Sequence, residues 1–135
     1  MRVFLIGDST MADKVSADFP ETGWGMPIAS FFNEAVEVQN HAYNGRSTKS
    51  FRREGRWAKV FNQIKKGDYV LIQFGHNDAK VSDTSRYAPA QTDFRENLIR
   101  YVRETRSKGG IPILLTPTQR RKFDSTGVFV DQHAD

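Results

Sequence analysis

Apolar residues along this chain come in short runs, each closed by glycine or by a polar cluster. Val3-Phe4-Leu5-Ile6 ends in Gly7-Asp8-Ser9-Thr10, and Tyr69-Val70-Leu71-Ile72-Gln73-Phe74 ends in Gly75-His76-Asn77-Asp78. Runs of this length suit strands buried on both faces, which occur mainly in parallel sheets covered by helices. Val36–Ala42 alternates apolar and polar like a half-buried strand and leads into Asn44-Gly45-Arg46-Ser47, a turn cluster. Ile111–Thr116, with a proline at its entrance and Pro117 behind it, reads as a fourth strand.

Helical spacing fills the intervals. After Pro27, a residue suited to a first helical turn, Ile28, Phe31, Phe32 and Ala35 predict a helix with one buried face; Trp24 is expected to pack at its start, the other reading being a residue that lines a sugar-binding cleft. A second helix is predicted from about Phe51 to Lys65, with Trp57, Val60, Phe61 and Ile64 inward and Gly67 ending it. The clearest helical pattern is Phe94, Leu98, Tyr101 and Val102, stopped by Gly109-Gly110. Strands alternating with helices predict an α/β domain with a parallel sheet.

The 135 residues make one domain, 1–135, with 38% hydrophobic and 12% aromatic residues, enough for a core. No run is long enough to cross a membrane, and Met1 leads almost directly into the first strand, so this chain is expected to carry no secretory signal; a mature secreted protein would look the same, and a secreted or periplasmic and a cytoplasmic location both stay open. The chain has no cysteine, which excludes disulfides and thiolate chemistry, and its scattered histidines suggest no metal site. A net charge of +4 permits an acidic partner. Its basic groups, Arg52-Arg53 with Arg56 and Arg120-Arg121-Lys122, are short, and no nucleic-acid motif accompanies them.

In a parallel sheet the carboxyl ends of the strands share one edge, where ligands bind. That edge receives Ser9, Gly45 and Asn77. Residues 8–10 equally suit the cap of a following helix, but the three positions together match acyl transfer. Ser9 Oγ can attack a carbonyl carbon, while the backbone N–H groups of Ser9 and Gly45 and the Asn77 amide can meet the negative charge on the carbonyl oxygen. Such chemistry calls for no cofactor.

Gly7-Asp8-Ser9-Thr10, the glycine of Asn44-Gly45-Arg46-Ser47, and Gly75-His76-Asn77-Asp78 resemble, in order, the blocks of the GDSL, or SGNH, hydrolase family of serine esterases. Within it, Gly23-Trp24-Gly25, Gly45-Arg46-Ser47-Thr48-Lys49-Ser50-Phe51 and Thr116-Pro117 are similar to rhamnogalacturonan acetylesterases and their bacterial relatives. The resemblance implies a flavodoxin-like three-layer sandwich, Ser9 as nucleophile, and Ser9, Gly45 and Asn77 as oxyanion donors. Asp8 is expected to hold the turn and, with Arg46 and His76, to border the substrate. The implied substrate is an acetylated acidic polysaccharide of the pectin class; one or more of Arg46 and Arg120-Arg121-Lys122 are expected to bind its galacturonate carboxylates, the alternative for the Arg120 group being surface charge with no ligand.

One block of the family's pattern is missing. The general base of the family is the histidine of an Asp-x-x-His block, and the nearest approach here, Asp131-Gln132-His133, has one intervening residue and reads as a loop. His76 is read as shaping the oxyanion loop, and His41 as a packed or hydrogen-bonded histidine. On this reading the chain is the amino-terminal portion of a hydrolase domain, without its last strand, last helix and base, and is nearly inactive alone. Two other readings belong beside it: a carbohydrate-binding remnant that keeps the cleft without catalysis, and an esterase acting on another acyl ester.

Overall fold

A computed structural model describes residues 1–133. Four strands, β1 (Arg2–Gly7), β2 (Glu37–Asn40), β3 (Tyr69–Gln73) and β4 (Ile111–Leu114), form one sheet. Their order is β2-β1-β3-β4, and every neighbouring pair is parallel. Because side chains alternate across a strand, β1 and β3 feed two cores at once. Phe4, Ile6, Val70 and Ile72 face one core together with Phe51, Trp57, Val60 and Tyr101. Val3 and Leu5 face the other with Met11, Ala12 and Ala42, while Tyr69 and Leu71 pack against its margin.

The first core is roofed by three helices, α1 (Thr48–Arg53), α2 (Arg56–Phe61) and α3 (Arg95–Ser107). Phe4, Phe51 and Tyr101 are fully buried, each side chain contributing about 2–3 kcal/mol by leaving water. The single helix expected from Phe51 to Lys65 is two short ones. Gly55 lies between them at φ 73°, a left-handed conformation in which any other residue is strained, and it turns the axis so that Trp57 and Val60 reach the core. α1 begins earlier than its apolar spacing suggests, because Ser47 and Ser50 form a reciprocal capping box.

On the opposite face the helix expected over Ile28–Ala35 does not form. A single 3₁₀ turn, Ile28–Phe31, stands there, and Phe31 is 81% exposed. The chain breaks away because the Asn33 side chain accepts the Ala35 N–H at 3.0 Å and the Asn33 carbonyl accepts the Val36 N–H at 3.1 Å; this local turn outcompetes the next helical bonds. The face is therefore covered by the segment after β1, with Met11, Ala12, Trp24 and Ile28 packed on the sheet. β4 lies at one edge of the sheet, with Ile113 and Leu114 exposed. No described helix is long and apolar enough to cross a membrane.

Candidate active site

The strand order fixes the neighbourhood. β1 lies between β2 and β3, so the turn after β1 is flanked by the loops that follow its two partners. Ser9 belongs to the first of these loops, Gly45 to the second and Asn77 to the third.

The Ser9 turn is held from beneath. The Asp8 carbonyl accepts the N–H groups of Met11 and Ala12 at 3.2 and 3.0 Å. The Asp8 carboxylate, 1% exposed, accepts the Thr10 N–H at 2.9 Å and the Thr10 hydroxyl at 2.8 Å. Asp8 is thus committed to the turn. Below it Gln73, the polar residue that closes β3, accepts the Trp24 Nε1–H at 2.6 Å and donates to the Thr116 carbonyl at 2.9 Å. That fixes the Trp24 indole beside the serine. Ser9, Thr10, Glu21, Thr22, Trp24 and Thr118 line a cleft of about 420 Å³.

The second loop runs on from β2 along the end of β1. His41 N–H donates to the Leu5 carbonyl at 2.9 Å and Tyr43 N–H to the Gly7 carbonyl at 3.0 Å, which carries the chain to a Gly45 with φ 75°. This left-handed turn costs an L-residue about 1–2 kcal/mol. Lys14, its side chain almost wholly buried, joins the first loop to the second: Nζ donates to the Ser9 carbonyl at 2.5 Å and to Asn44 Oδ1 at 2.8 Å.

The third loop is tied to the second. Asn77 Nδ2 donates to the Arg46 carbonyl at 3.0 Å. One position on, the buried Asp78 carboxyl accepts the Thr48 N–H at 2.9 Å and the Thr48 hydroxyl at 2.5 Å. Burial raises the Asp78 carboxyl to about 7, an effect the Thr48 hydrogen bonds oppose and the charge of Asp8 adds to. Arg86 closes the cluster. Its Nη1 donates to Asn77 Oδ1 at 3.3 Å and to the Gly45 carbonyl at 3.4 Å, while Nε donates to Asp83 at 2.6 Å. Hydrogen bonds from the Ser85 hydroxyl and Arg86 hold the Asp83 carboxyl down at about 2.

Several donors are left over. Among the described residues the N–H groups of Ser9 and Gly45 and the Ser9 hydroxyl have no hydrogen-bond partner. Asn77 spends one of its two amide hydrogens on Arg46. Three unspent N–H donors and a hydroxyl are thus carried by three loops that leave the same edge of the sheet.

The remaining sequence-predicted residues sit around this cluster. The Arg46 guanidinium stacks on Tyr43, 4.7 Å from its ring centre, and donates to Glu54 at 2.9 Å. His76 Nε2 lies 2.5 Å from the Thr118 carbonyl, and its ring stacks on His133 at 4.9 Å. This contact joins the loop after β3 to the chain after β4. Asp131 accepts the His133 backbone N–H at 2.9 Å and the Gln119 amide at 2.7 Å, so the two residues form a turn and no carboxylate–imidazole pair. Desolvation lowers the His133 imidazole below its ordinary range, and the nearness of His76 and Arg120 acts in the same direction, opposed by Asp131 and Asp8. His41 bonds Gln39 at 3.1 Å beside Phe4. Among the described residues no three or more acidic, histidine or cysteine side chains are grouped to hold a metal ion.

Residues 5–133 match the model of the GDSL-like lipase/acylhydrolase family. The chain belongs to that family. It is 43% identical over 127 residues to rhamnogalacturonan acetylesterase RhgT of Bacillus subtilis, across 94% of this chain and 53% of that protein. It is 35% identical over 133 residues to the probable rhamnogalacturonan acetylesterase YesY of the same organism, across 98% of this chain and 60% of that one. The chain thus spans a little over half the length of these curated relatives. The crystal structure of protein YxiM from B. subtilis superimposes with a TM-score of 0.80 at 27% identity, over 96% of this chain and 36% of that one. The parallel sheet with layers on both faces is the architecture that the family resemblance implied. Lys14, Gln73 and Arg86, which brace the site, carry no periodic signal in the sequence. Only Gln73, a polar residue ending an apolar strand, stands out there.

Proposed function

We propose that this chain carries the nucleophile and oxyanion donors of a serine ester hydrolase that removes acetyl groups from an acetylated pectic polysaccharide of the rhamnogalacturonan class. The observation that carries the reading is the unpartnered Ser9 hydroxyl on the sheet edge that also carries the unspent backbone N–H groups of Ser9 and Gly45 and the Asn77 amide. Ser9 Oγ attacks the acetyl carbonyl carbon and gives its proton to a base. The carbonyl oxygen takes up negative charge and is met by the three donors, after which the sugar oxygen leaves with that proton. Water, deprotonated by the same base, then attacks the acetyl-serine and releases acetate. Each oxyanion donor is worth about 3–4 kcal/mol of transition-state stabilisation.

In this reading the base comes from outside the described residues. No histidine or carboxylate among them is bonded to the Ser9 hydroxyl, and His76 is turned to Thr118. A serine without a base keeps only the small rate that binding and oxyanion donors supply. The substrate class rests on the names of the relatives that are 43% and 35% identical. The electrostatics agree with it: the net charge is +4, and Arg120 Nη2 lies 3.5 Å from the His76 carbonyl, on the edge that carries Ser9. Arg120 and Arg46 are assigned to galacturonate carboxylates, and Trp24 to one wall of the sugar cleft.

The test is acetate release by the full-length gene product from acetylated rhamnogalacturonan and from neutral acetylated xylan at low and high salt. Release from the acidic polymer, weakened by salt and abolished by Ser9→Ala, is expected. Equal turnover of both polymers at every salt concentration overturns the substrate class, and activity that survives Ser9→Ala overturns the mechanism.

A further inference from the structure

We propose that Arg86 is a positioning residue that sets the direction of two of the three oxyanion donors from behind. The inference rests on the reading of Gly45 and Asn77 as donors and adds a residue that neither touches the cleft nor takes part in the chemistry.

Its basis is the sorting of donor and acceptor ends. A carboxamide is nearly symmetric in shape, so packing alone does not decide which end faces a substrate; the hydrogen-bond network does. For Asn77 both ends are fixed by groups of one kind only. Arg86 Nη1, which can only donate, holds Oδ1 at 3.3 Å, and the Arg46 carbonyl, which can only accept, holds Nδ2 at 3.0 Å. A flipped Asn77 would set Nδ2 against a guanidinium and Oδ1 against a carbonyl, opposing both contacts. The amide is thereby locked with its second N–H unspent.

The same Nη1 group serves Gly45. Its other hydrogen goes to the Gly45 carbonyl at 3.4 Å, and Gly45 leaves its own N–H without a partner among the described residues. Gly45 has no side chain to fill that side: a Cβ built there would stand in contact with Nη1, at 3.4 Å. One guanidinium nitrogen thus spans two donors that come from different loops.

Arg86 is itself held. Its Nε donates to Asp83 Oδ2 at 2.6 Å, and Asp83 Oδ1 accepts the Ser85 N–H at 3.0 Å and the Ser85 hydroxyl at 2.5 Å. Lys49 Nζ fastens the Thr84 carbonyl at 2.9 Å, and the Ala88 N–H returns to the Asp78 carbonyl at 3.0 Å. The 83–88 segment is therefore a bracket bolted to the loop that carries Asn77. Lysine cannot replace arginine here, because a single ammonium on a flexible stem lacks the planar fork that reaches Asp83 and the two carbonyl oxygens together.

The experiment is a double-mutant cycle in the full-length gene product, with initial rates on an aryl acetate and folding checked by circular dichroism. Arg86→Ala is expected to lower kcat about 100-fold with KM nearly unchanged. Added ethylguanidinium is expected to restore part of the rate. In an Asn77→Ala background the same substitution is expected to cost far less, since one of the two groups it directs is gone. An equal loss in both backgrounds, a loss in KM alone, or no loss overturns the proposal. Should Arg86→Ala fail to fold, Arg86→Lys is read in its place with the same outcomes. Loss of activity in Ser9→Ala with no effect of Arg86 variants sinks only this inference, whereas activity retained by Ser9→Ala sinks the reading beneath it.

Discussion

Lys14 Nζ donates to the carbonyl oxygen of Ser9, the residue whose hydroxyl stands free in the cleft, and the same ammonium reaches Asn44 Oδ1 at 2.8 Å. A buried cation is stable only when its hydrogens are spent on oxygens, and here two of them join the β1 turn to the loop carrying Gly45. The only carboxylate paired with it among the described residues, Glu21 at 3.5 Å, is largely exposed and screened by solvent.

Replacing Lys14 by methionine keeps much of the stem's volume and leaves the Ser9 carbonyl and Asn44 Oδ1 without their donor. The expected loss of stability is about 1–3 kcal/mol, read as a lower urea midpoint at unchanged slope. Slower labelling of Ser9 by a fluorophosphonate is expected to accompany it. A variant as stable and as reactive as the parent would show that Lys14 is not the tie between the two loops.

Asn77→Ala removes the amide proposed here as an oxyanion donor, which also ties its loop to the Arg46 carbonyl. The expected fall in kcat is about 10²–10³-fold in the full-length gene product, with a much smaller change in KM. Asn77→Asp is expected to be worse than Asn77→Ala, because its charge repels a developing oxyanion. Steady-state kinetics on an aryl acetate decide the order, and the opposite order removes Asn77 from the donor set.

The parts of the site that the sequence displays and those that it hides differ in physical kind. Ser9, Gly45 and Asn77 are legible because each closes an apolar or alternating run, and parallel strands deliver run ends to one edge. The apolar faces of Trp57, Val60 and Tyr101 are legible through helical spacing. Illegible are the polar braces: Lys14 meets Asn44, and Arg86 meets Gly45, across stretches of chain that no local period connects. The helix expected after Pro27 fails for a related reason. Phe31 and Phe32 have the right spacing, but the Asn33 turn behind them directs the chain toward β2 and leaves both rings outside the core.

Tyr101 offers a check on how the helical roof holds the site. It is fully buried, edge-on to Trp57 at 4.9 Å and stacked on Phe74 at 5.9 Å, and its hydroxyl donates to the Thr48 carbonyl at 2.8 Å. Tyr101→Phe keeps the ring contacts and removes that one bond. A loss of about 1–2 kcal/mol in urea unfolding is expected, with the ordered near-ultraviolet signal of the aromatic core retained.

Asp78 makes the stability of the fold depend on pH in a direction unusual for a carboxylate. Burial lifts it to about 7 in the folded chain, against an ordinary 3.8. Between about pH 4 and about pH 7 the unfolded chain has released this proton while the folded chain keeps it, so each step up in pH favours unfolding. Its contribution is fully present below about pH 4 and lost as the pH rises through about 7, a span worth about 4 kcal/mol at about 1.4 kcal/mol per unit. His41 and His133 act oppositely: desolvation lowers both, so their contribution is present at higher pH and declines on acidification through their folded values. The bare pH profile mixes these effects, and Asp78→Asn separates them. Relative to the Asn variant, the parent is expected to lose stability steadily from mildly acidic to neutral pH and to run parallel to it above neutrality. A parallel course over the whole range would mean that Asp78 is already ionised beside Thr48, with its two hydrogen bonds there outweighing its burial.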